Sequence, residues 1–434
     1  MADKRNIILI TLDSLRADHC SFMGYYRETT PTMDKIARRG LVFENAIAGG
    51  VGTPESMMGA FTGSFAPLTE DIDSKMWRNE FTKRRTLAQI LSKLGYSTGA
   101  VVPNTFASSY FGFDKGFQFF QDFLKDGAKT KIHKRIFEKA FKKNSRTASI
   151  IRNLMNFLLK REVFTPWEKY YDVVINWVKK TNKPFFLWVL LMDTHFPYLA
   201  PRKFRKWSNF LSMYHTNWKL QHVNFENKLT DKEKKKIIDA YDDSIRYANE
   251  FIKRLTKDFS DYDPIYVIHS DHGEGFGEHG FYMHGFIRNK AVCLYEELIH
   301  IPLIIYNADI KERIEKPVSL LSLSPTILEI INEENFSDFP SCSFLKSNNT
   351  WVIARCIENG KIKVAVRLKD WKFIIDQNSI DELYNLKDDP AERKNVVNEY
   401  PKLAKELKKI AYSHIKHELE INIIKKYIKK LVNK

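Results

Sequence analysis

Three short polar clusters in the sequence carry side chains fit for chemistry, and each follows an apolar run. Residues 6–12 (NIILITL) lead into Asp13-Ser14-Leu15-Arg16, residues 184–191 into Met192-Asp193-Thr194-His195, and residues 264–269 (PIYVIH) into Ser270-Asp271-His272-Gly273-Glu274. Carboxylates and imidazoles that converge are the ligand types of a divalent cation such as Mn²⁺, Zn²⁺, Mg²⁺ or Ca²⁺. The last cluster opens a glycine-rich run, SDHGEGFGEHGFYMHG, which also holds His279 and His284. So much histidine and glycine directly after a buried strand has no simple structural explanation. Asp193 alone reads equally well as a loop acid or a capping residue.

The apolar runs lack polar alternation, as expected of strands buried on both faces of a parallel sheet. Helical patterns separate them at residues 32–39, 86–94 (closed by Gly95), 166–179, 231–256 and 325–331, with further strands at 41–43, 96–102 and 301–306. This alternation predicts an α/β body, a mostly parallel sheet flanked by helices. Ligands of such sheets bind beyond the carboxyl ends of the strands, where all three clusters fall. Past about residue 350 the texture changes, and residues 351–356, 364–368 and 371–375 predict short antiparallel strands. The expected organisation is a catalytic body over residues 1–345, a smaller C-terminal α+β subdomain over 346–400, and a lysine-rich helical tail over 401–434.

LITLDSLRADH, GYYRETTPTMDKIARRGLVFENAIAGG and TPESMMGAFTG, followed in order by MDTHFPY, SDHGEGFGEHG, EELIHIPLIIY and LLSLSPTILEI, resemble the sulfatase branch of the alkaline phosphatase superfamily. DELYNLKDDPAERKNVV resembles that family's C-terminal subdomain. The resemblance covers roughly residues 5–400, apart from a basic insert and the region around 200–235. It implies an alkaline-phosphatase-like fold. Carried over residue by residue, it implies one divalent ion held by Asp13, Asp271, His272 and Thr53, with Thr53 as the nucleophile. It places His195 and His284 where they contact the ester group or assist the leaving group, and His279 nearby as a substrate contact.

The departures from the family pattern are informative. Sulfatases carry Cys or Ser as the nucleophile, in a pattern Cys-x-Pro-Ser-Arg, and modify it to formylglycine. This sequence reads Thr53-Pro54-Glu55-Ser56-Met57, and threonine cannot become formylglycine. Ser14 stands where a second aspartate is usual. A threonine nucleophile is the device of phosphate-handling relatives, the phosphodiesterases and the phosphoglycerol or phosphoethanolamine transferases. Metal coordination lowers the pKa of such a hydroxyl, which then attacks phosphorus in line while an imidazole protonates the leaving alkoxide. Gly49, Gly50 and Gly52 read as room for substrate to approach the backbone, and Pro54 as the start of a helix whose N-terminus attracts anions. Asp193 and His195 are too closely spaced for the second metal site of two-metal relatives. The expected function is metal-dependent hydrolysis or transfer of phosphate or sulfate esters, phosphoesters favoured. The alternatives are an arylsulfatase-type hydrolase without formylglycine and a catalytically silent binding relative. The joint presence of Asp13, Thr53, His195, Asp271, His272 and His284 favours the enzyme.

The chain has 434 residues, 44% of them hydrophobic, which is ample for a large core. Cys20, Cys293, Cys342 and Cys356 are widely spaced, which excludes a disulfide scaffold or a CxxC zinc site and points to a reducing compartment. The net charge of +16 is concentrated. Residues 129–161 hold 11 Lys and Arg against Glu138 alone, and residues 402–434 hold 10 Lys against three Glu. Both segments show apolar residues at helical spacing, among them Ile132, Ile136 and Phe137, then Ile424, Ile428 and Leu431. They read either as solvated helical cover or as surfaces for anionic lipid headgroups or a polyanion. Nucleic acid is not indicated, since no domain motif for it occurs and an anion-cleaving enzyme already accounts for positive charge. No run approaches the ~20 apolar residues of a membrane span, and no apolar leader with a cleavage site opens the sequence. A cytoplasmic location with peripheral membrane contact is expected.

Overall fold

The computed structural model describes residues 4–70, 73–123, 165–181, 184–223, 228–284, 293–333, 339–376 and 380–432, so the basic segment 129–161 lies outside the described residues. In chain order the strands are β1 (Ile7–Leu12), β2 (Leu41–Ile47), β3 (Ser97–Val101), β4 (Phe119–Gln121), β5 (Phe185–Leu191), β6 (Ile265–Ser270), β7 (Gly275–Phe276), β8 (Tyr282–Met283), β9 (His300–Tyr306), β10 (Glu312–Ile314), β11 (Val318–Ser319), β12 (Trp351–Glu358), β13 (Lys361–Leu368), β14 (Trp371–Asp376) and β15 (Glu382–Asn385). Among the described residues nine of them make one sheet, ordered β10-β2-β9-β6-β1-β5-β3-β4 with β11 beside β2. Only β9 runs against its neighbours, β2 and β6. The predicted mostly parallel α/β sheet is therefore present.

The uniform apolarity of β1 follows from its central place. Ile8, Ile10 and Leu12 face one layer, where helices Glu168–Lys180 and Asp231–Asp258 supply Tyr170, Val174, Ile245 and Phe251. Ile7 and Leu9 face the other, where helices Thr53–Thr62, Leu87–Lys93 and Leu323–Ile330 supply Met58, Phe61, Leu91 and Leu328. Trp188 of β5 anchors this second layer. Its ring stands edge-on to Phe61 at 4.7 Å, and its Nε1 donates to Thr11 Oγ1 at 3.1 Å.

The C-terminal strands β12 to β15 form the expected antiparallel sheet. Helix Pro401–Val432 is more than an appended tail: Ala404, Leu407, Ala411 and Ile415 bury against Val364, Val366 and Phe373. The opposite face of the sheet places Val352, Ala354 and Ile374 against Ile47, Leu298 and Ile299. Ion pairs bind the same junction. Lys372, fully buried, sits between Glu296 at 3.0 Å and Glu392, and Arg367 joins Glu296 at 3.1 Å.

Replacing Trp188 removes a large buried ring and its hydrogen bond. Trp188→Ala is expected to cost about 3–5 kcal/mol, read as a lowered denaturant midpoint in chemical unfolding.

Candidate active site

The register of three strands creates the site. Leu12 pairs with Leu191 on one side and with Ser270 on the other, so Asp13, Met192 and Asp271 leave adjacent strands at one level. At that edge the carboxylates of Asp13 and Asp271 and the imidazole of His272 place their ligand atoms within 4.8 Å of one another, all fully buried. Among the described residues Asp271 Oδ2 and His272 Nε2 have no hydrogen-bond partner. His272 Nδ1–H donates to the Gly273 carbonyl at 2.8 Å, which leaves the Nε2 lone pair facing the two carboxylates. Burial and the Asp13 charge hold the Asp271 carboxyl above its usual range. Burial opposes charging His272, yet Asp271 and Asp13 more than offset it and raise its pKa. Buried like charges with orphaned lone pairs are the donor set a divalent ion satisfies. Asp13, Asp271 and His272 would hold such an ion.

The neighbours of this cluster fix it. Ser14, with φ at +62°, sits in the left-handed region that serine rarely adopts. From there its hydroxyl donates to Asp13 Oδ1 at 2.9 Å and its amide to Asp271 Oδ1 at 3.1 Å. The residue that departs from the family pattern thus orients both carboxylates. Gly273 is required by close approach: a Cβ there would lie 2.0 Å from the Glu297 carbonyl oxygen.

Thr53 begins helix Thr53–Thr62, which follows β2 at the same edge of the sheet. Its hydroxyl donates to Asp13 Oδ2 at 3.4 Å. The preceding glycines serve internal packing, since a Cβ on Gly49 would meet Leu321 at 2.5 Å and one on Gly50 would meet Glu55 at 2.7 Å. Glu55 itself is a departure brought inside: its Oε2 is buried without a hydrogen-bond partner, and burial raises its pKa.

Asn104, which sequence reasoning passed over, belongs to the site. It follows β3, and its Nδ2 donates to Asp13 Oδ2 at 2.6 Å and to Thr53 Oγ1 at 3.4 Å. Its Oδ1 accepts from the Phe106 amide at 2.7 Å, which fixes the side chain. The available signal was a polar residue directly beyond a core strand, the criterion already applied to Asp13 and Asp271.

His195 and His284 meet beside the cluster. Their ring centroids are 5.1 Å apart, and that of His284 is 4.5 Å from that of His272. His195 Nδ1–H donates to the Phe196 carbonyl at 2.6 Å. His284 Nδ1–H donates to Glu274 Oε1 at 3.0 Å, and Tyr198 donates to the other oxygen of that buried carboxylate at 2.9 Å. Burial lowers the pKa of His284, the charge of Glu274 opposes this, and His272 and His195 reinforce it. Both histidines therefore present Nε2 to the site. His279 does not: its Nδ1 meets Glu297 Oε1 at 2.7 Å, its Nε2 meets the Glu392 carbonyl at 3.2 Å, and its ring stacks on Tyr295 at 3.7 Å. Two oxygen acceptors require two N–H donors, in keeping with a raised pKa that the Glu297 carboxylate sustains against burial. His279 ties the glycine-rich run to the C-terminal sheet. Asp193 stays outside the group of candidate metal ligands among the described residues.

Fold and site together define the ester hydrolases that work with a divalent metal at the carboxyl edge of an α/β sheet. The chain belongs to the sulfatase family, whose sequence profile matches residues 5–333. Arylsulfatase K of Rattus norvegicus is 22% identical over 466 residues, covering 93% of this chain and 76% of that protein. A sulfatase of Formosa agariphila is 25% identical over 450 residues, covering 92% and 84%. Among solved structures, the phosphonate monoester hydrolase of Agrobacterium radiobacter superposes with a TM-score of 0.68 at 15% identity, covering 96% of each chain. A structure in complex with its substrate D-glucosamine-2-N,6-O-disulfate gives a TM-score of 0.67 at 18% identity, covering 96% of this chain and 98% of the other. No described helix is long and apolar enough to cross a membrane.

The metal assignment has a direct test. The wild-type chain is expected to retain one equivalent of divalent ion through dialysis, and the double variant Asp13→Asn with Asp271→Asn to retain none, measured by elemental analysis. A doubly substituted chain that kept its ion would place the metal elsewhere.

Proposed function

We propose that the chain cleaves phosphate esters by way of a covalent phosphothreonine at Thr53. The observation that carries this is the position of the Thr53 hydroxyl, 3.4 Å from an oxygen of Asp13 and at the first turn of a buried helix. That position supports the reading of Thr53, a side chain that cannot become formylglycine, as the nucleophile. The fold it shares with a phosphonate monoester hydrolase supports chemistry at phosphorus on this scaffold.

When bound, a divalent ion at Asp13, Asp271 and His272 acidifies a neighbouring hydroxyl and offsets charge on the phosphoryl oxygens. Asn104 orients the Thr53 oxygen through the contact at 3.4 Å. The amides of the first helical turn favour the incoming anion. Thr53 Oγ, its proton released to solvent beforehand, forms the bond to phosphorus as the bond to the leaving oxygen breaks. The leaving alkoxide takes a proton from Nε2 of His284, whose imidazolium form the Glu274 carboxylate stabilises through Nδ1–H. The negative charge of the arriving ester favours that protonated form. The neutral imidazole then accepts a proton from water, which attacks phosphorus and frees Thr53. A sulfothreonine lacks the second hydroxyl through which formylglycine expels sulfate, so sulfate esters turn over poorly by this route.

Thr53→Ala is expected to lower turnover of p-nitrophenyl phosphate or bis-p-nitrophenyl phosphate by roughly three orders of magnitude, with metal content preserved. Wild-type turnover of p-nitrophenyl sulfate is expected to be weak beside both. A preference for the sulfate, or undiminished activity without Thr53, would overturn the proposal. A second measurement addresses His284. His284→Ala should lower kcat/KM, which reports transfer to Thr53 and not the later hydrolysis, by about 10²-fold or more for phosphoesters with poor alkyl leaving groups, and far less for p-nitrophenyl esters, because p-nitrophenolate departs without a proton. Equal losses on both would remove His284 from the acid role.

A further inference from the structure

Beyond the catalytic centre, the segment after His195 is both basic and aromatic. No Asp or Glu occurs between Thr194 and Phe225, whereas Arg202, Lys203, Arg205, Lys206 and Lys219 do. Helix Phe210–Gln221 buries Met213, Thr216, Asn217 and Leu220. Its first turn points outward, leaving Leu211 77% exposed, Phe210 43% and Tyr214 38%. Arg202, Lys203 and Lys206 are exposed beside it. The Arg205 guanidinium lies over Phe210 at 5.8 Å, and Trp207 carries Lys206 at 5.5 Å and Arg27 at 5.0 Å.

This surface is built rather than loose. The buried carboxylate of Asp243 accepts the amides of Lys206 at 2.7 Å, Trp207 at 3.2 Å and Ser208 at 2.8 Å, which pins the loop to helix Asp231–Asp258. Two residues earlier on that helix, the Tyr241 hydroxyl accepts from the Arg16 amide at 2.9 Å and donates to the Ser14 carbonyl at 2.8 Å. The patch and the loop that carries Asp13 are therefore both held by one turn of that helix.

We propose that this face docks on an anionic lipid bilayer, with Phe210, Leu211 and Tyr214 entering the headgroup layer while Arg202, Lys203 and Lys206 meet lipid phosphates. An apolar turn ringed by cations of one sign is the pattern of an interfacial helix, and aromatic residues favour the headgroup level. Single-stranded nucleic acid fits less well, because the most exposed apolar residue, Leu211, has no π-face for a base to stack on.

The test is co-sedimentation of the full chain with vesicles of phosphatidylcholine alone and of three parts phosphatidylcholine to one part phosphatidylserine. The wild type is expected to bind the anionic vesicles, less so as salt rises, and to ignore the neutral ones. Leu211→Ser should weaken binding about tenfold through lost apolar insertion, and Lys203→Glu with Lys206→Glu at least about tenfold through reversed charge. Turnover of water-soluble p-nitrophenyl phosphate and the melting temperature should not change in either variant. Absence of wild-type binding to anionic vesicles would overturn the proposal. Equal vesicle binding by wild type and both variants would do so too, assigning the membrane contact to another basic segment. Loss of oligouridylate binding in the variants, with vesicle binding intact, would reassign the patch to nucleic acid.

Discussion

Two carboxylates buried side by side set the terms for the rest of this structure. Asp13 and Asp271 are fully buried, each within ion-pair distance of one imidazole nitrogen, at 3.8 Å and 3.6 Å. Enclosing like charges is costly unless an opposite charge joins them, and the orphaned Asp271 Oδ2 and His272 Nε2 show where that charge belongs. The surroundings suppress the alternative, which is for the side chains to swing apart. Ser14 accepts an unfavourable backbone angle to hold both carboxylates, Asn104 holds Asp13 from the side of Thr53, and Thr194 Oγ1 ties the Asp13 carbonyl at 2.6 Å. The site is preorganised by groups that gain nothing from their own geometry.

The glycine-rich run that carries half of this chemistry is restrained from two directions. Toward the helical layer, Arg16 donates to the Glu274 carbonyl at 3.0 Å, pairs with Asp18 and Glu278, and lies over the Phe276 ring at 5.2 Å. Toward the C-terminal sheet, His279 and the Glu297–Glu392 region form the second attachment. Between them Glu274 holds His284. The small C-terminal sheet is thus a mechanical support of the catalytic edge, through a buried junction in which Lys372 balances two glutamates.

Much of this was legible in the sequence. The apolar runs of β1, β5 and β6 are uninterrupted because both faces are covered, so strand positions and the carboxyl-edge clusters follow from pattern alone. Helix Asp231–Asp258 was visible from its period, with Thr230 and Glu233 forming a capping box. Other features were hidden for physical reasons. β15 is four residues long and owes its place to pairing with β14. Helix Phe210–Gln221 points apolar residues outward in its first turn, which blurs the periodicity. Asn104 carries only the weak signal of a polar residue beyond a strand, and its contact with Asp13 depends on β3 lying beside β5, a long-range pairing. Histidines near a site look alike in sequence; only the two oxygen acceptors around His279 separate a tether from a substrate contact.

The place of β1 has a consequence for how the chain is made. β1 stands near the centre of the finished sheet, and its two partners lie far downstream in the chain, one of them by 258 residues at the contact between Thr11 and His269. Until β6 has emerged, one edge of this apolar strand stays open even after β5 has paired with the other, a long-range arrangement that slows folding and favours association with other edges. Asp13 and Asp271 directly follow the two strands joined in that closing step, so the candidate metal site and the centre of the sheet are completed together. Chains arrested before residue 270 carry neither.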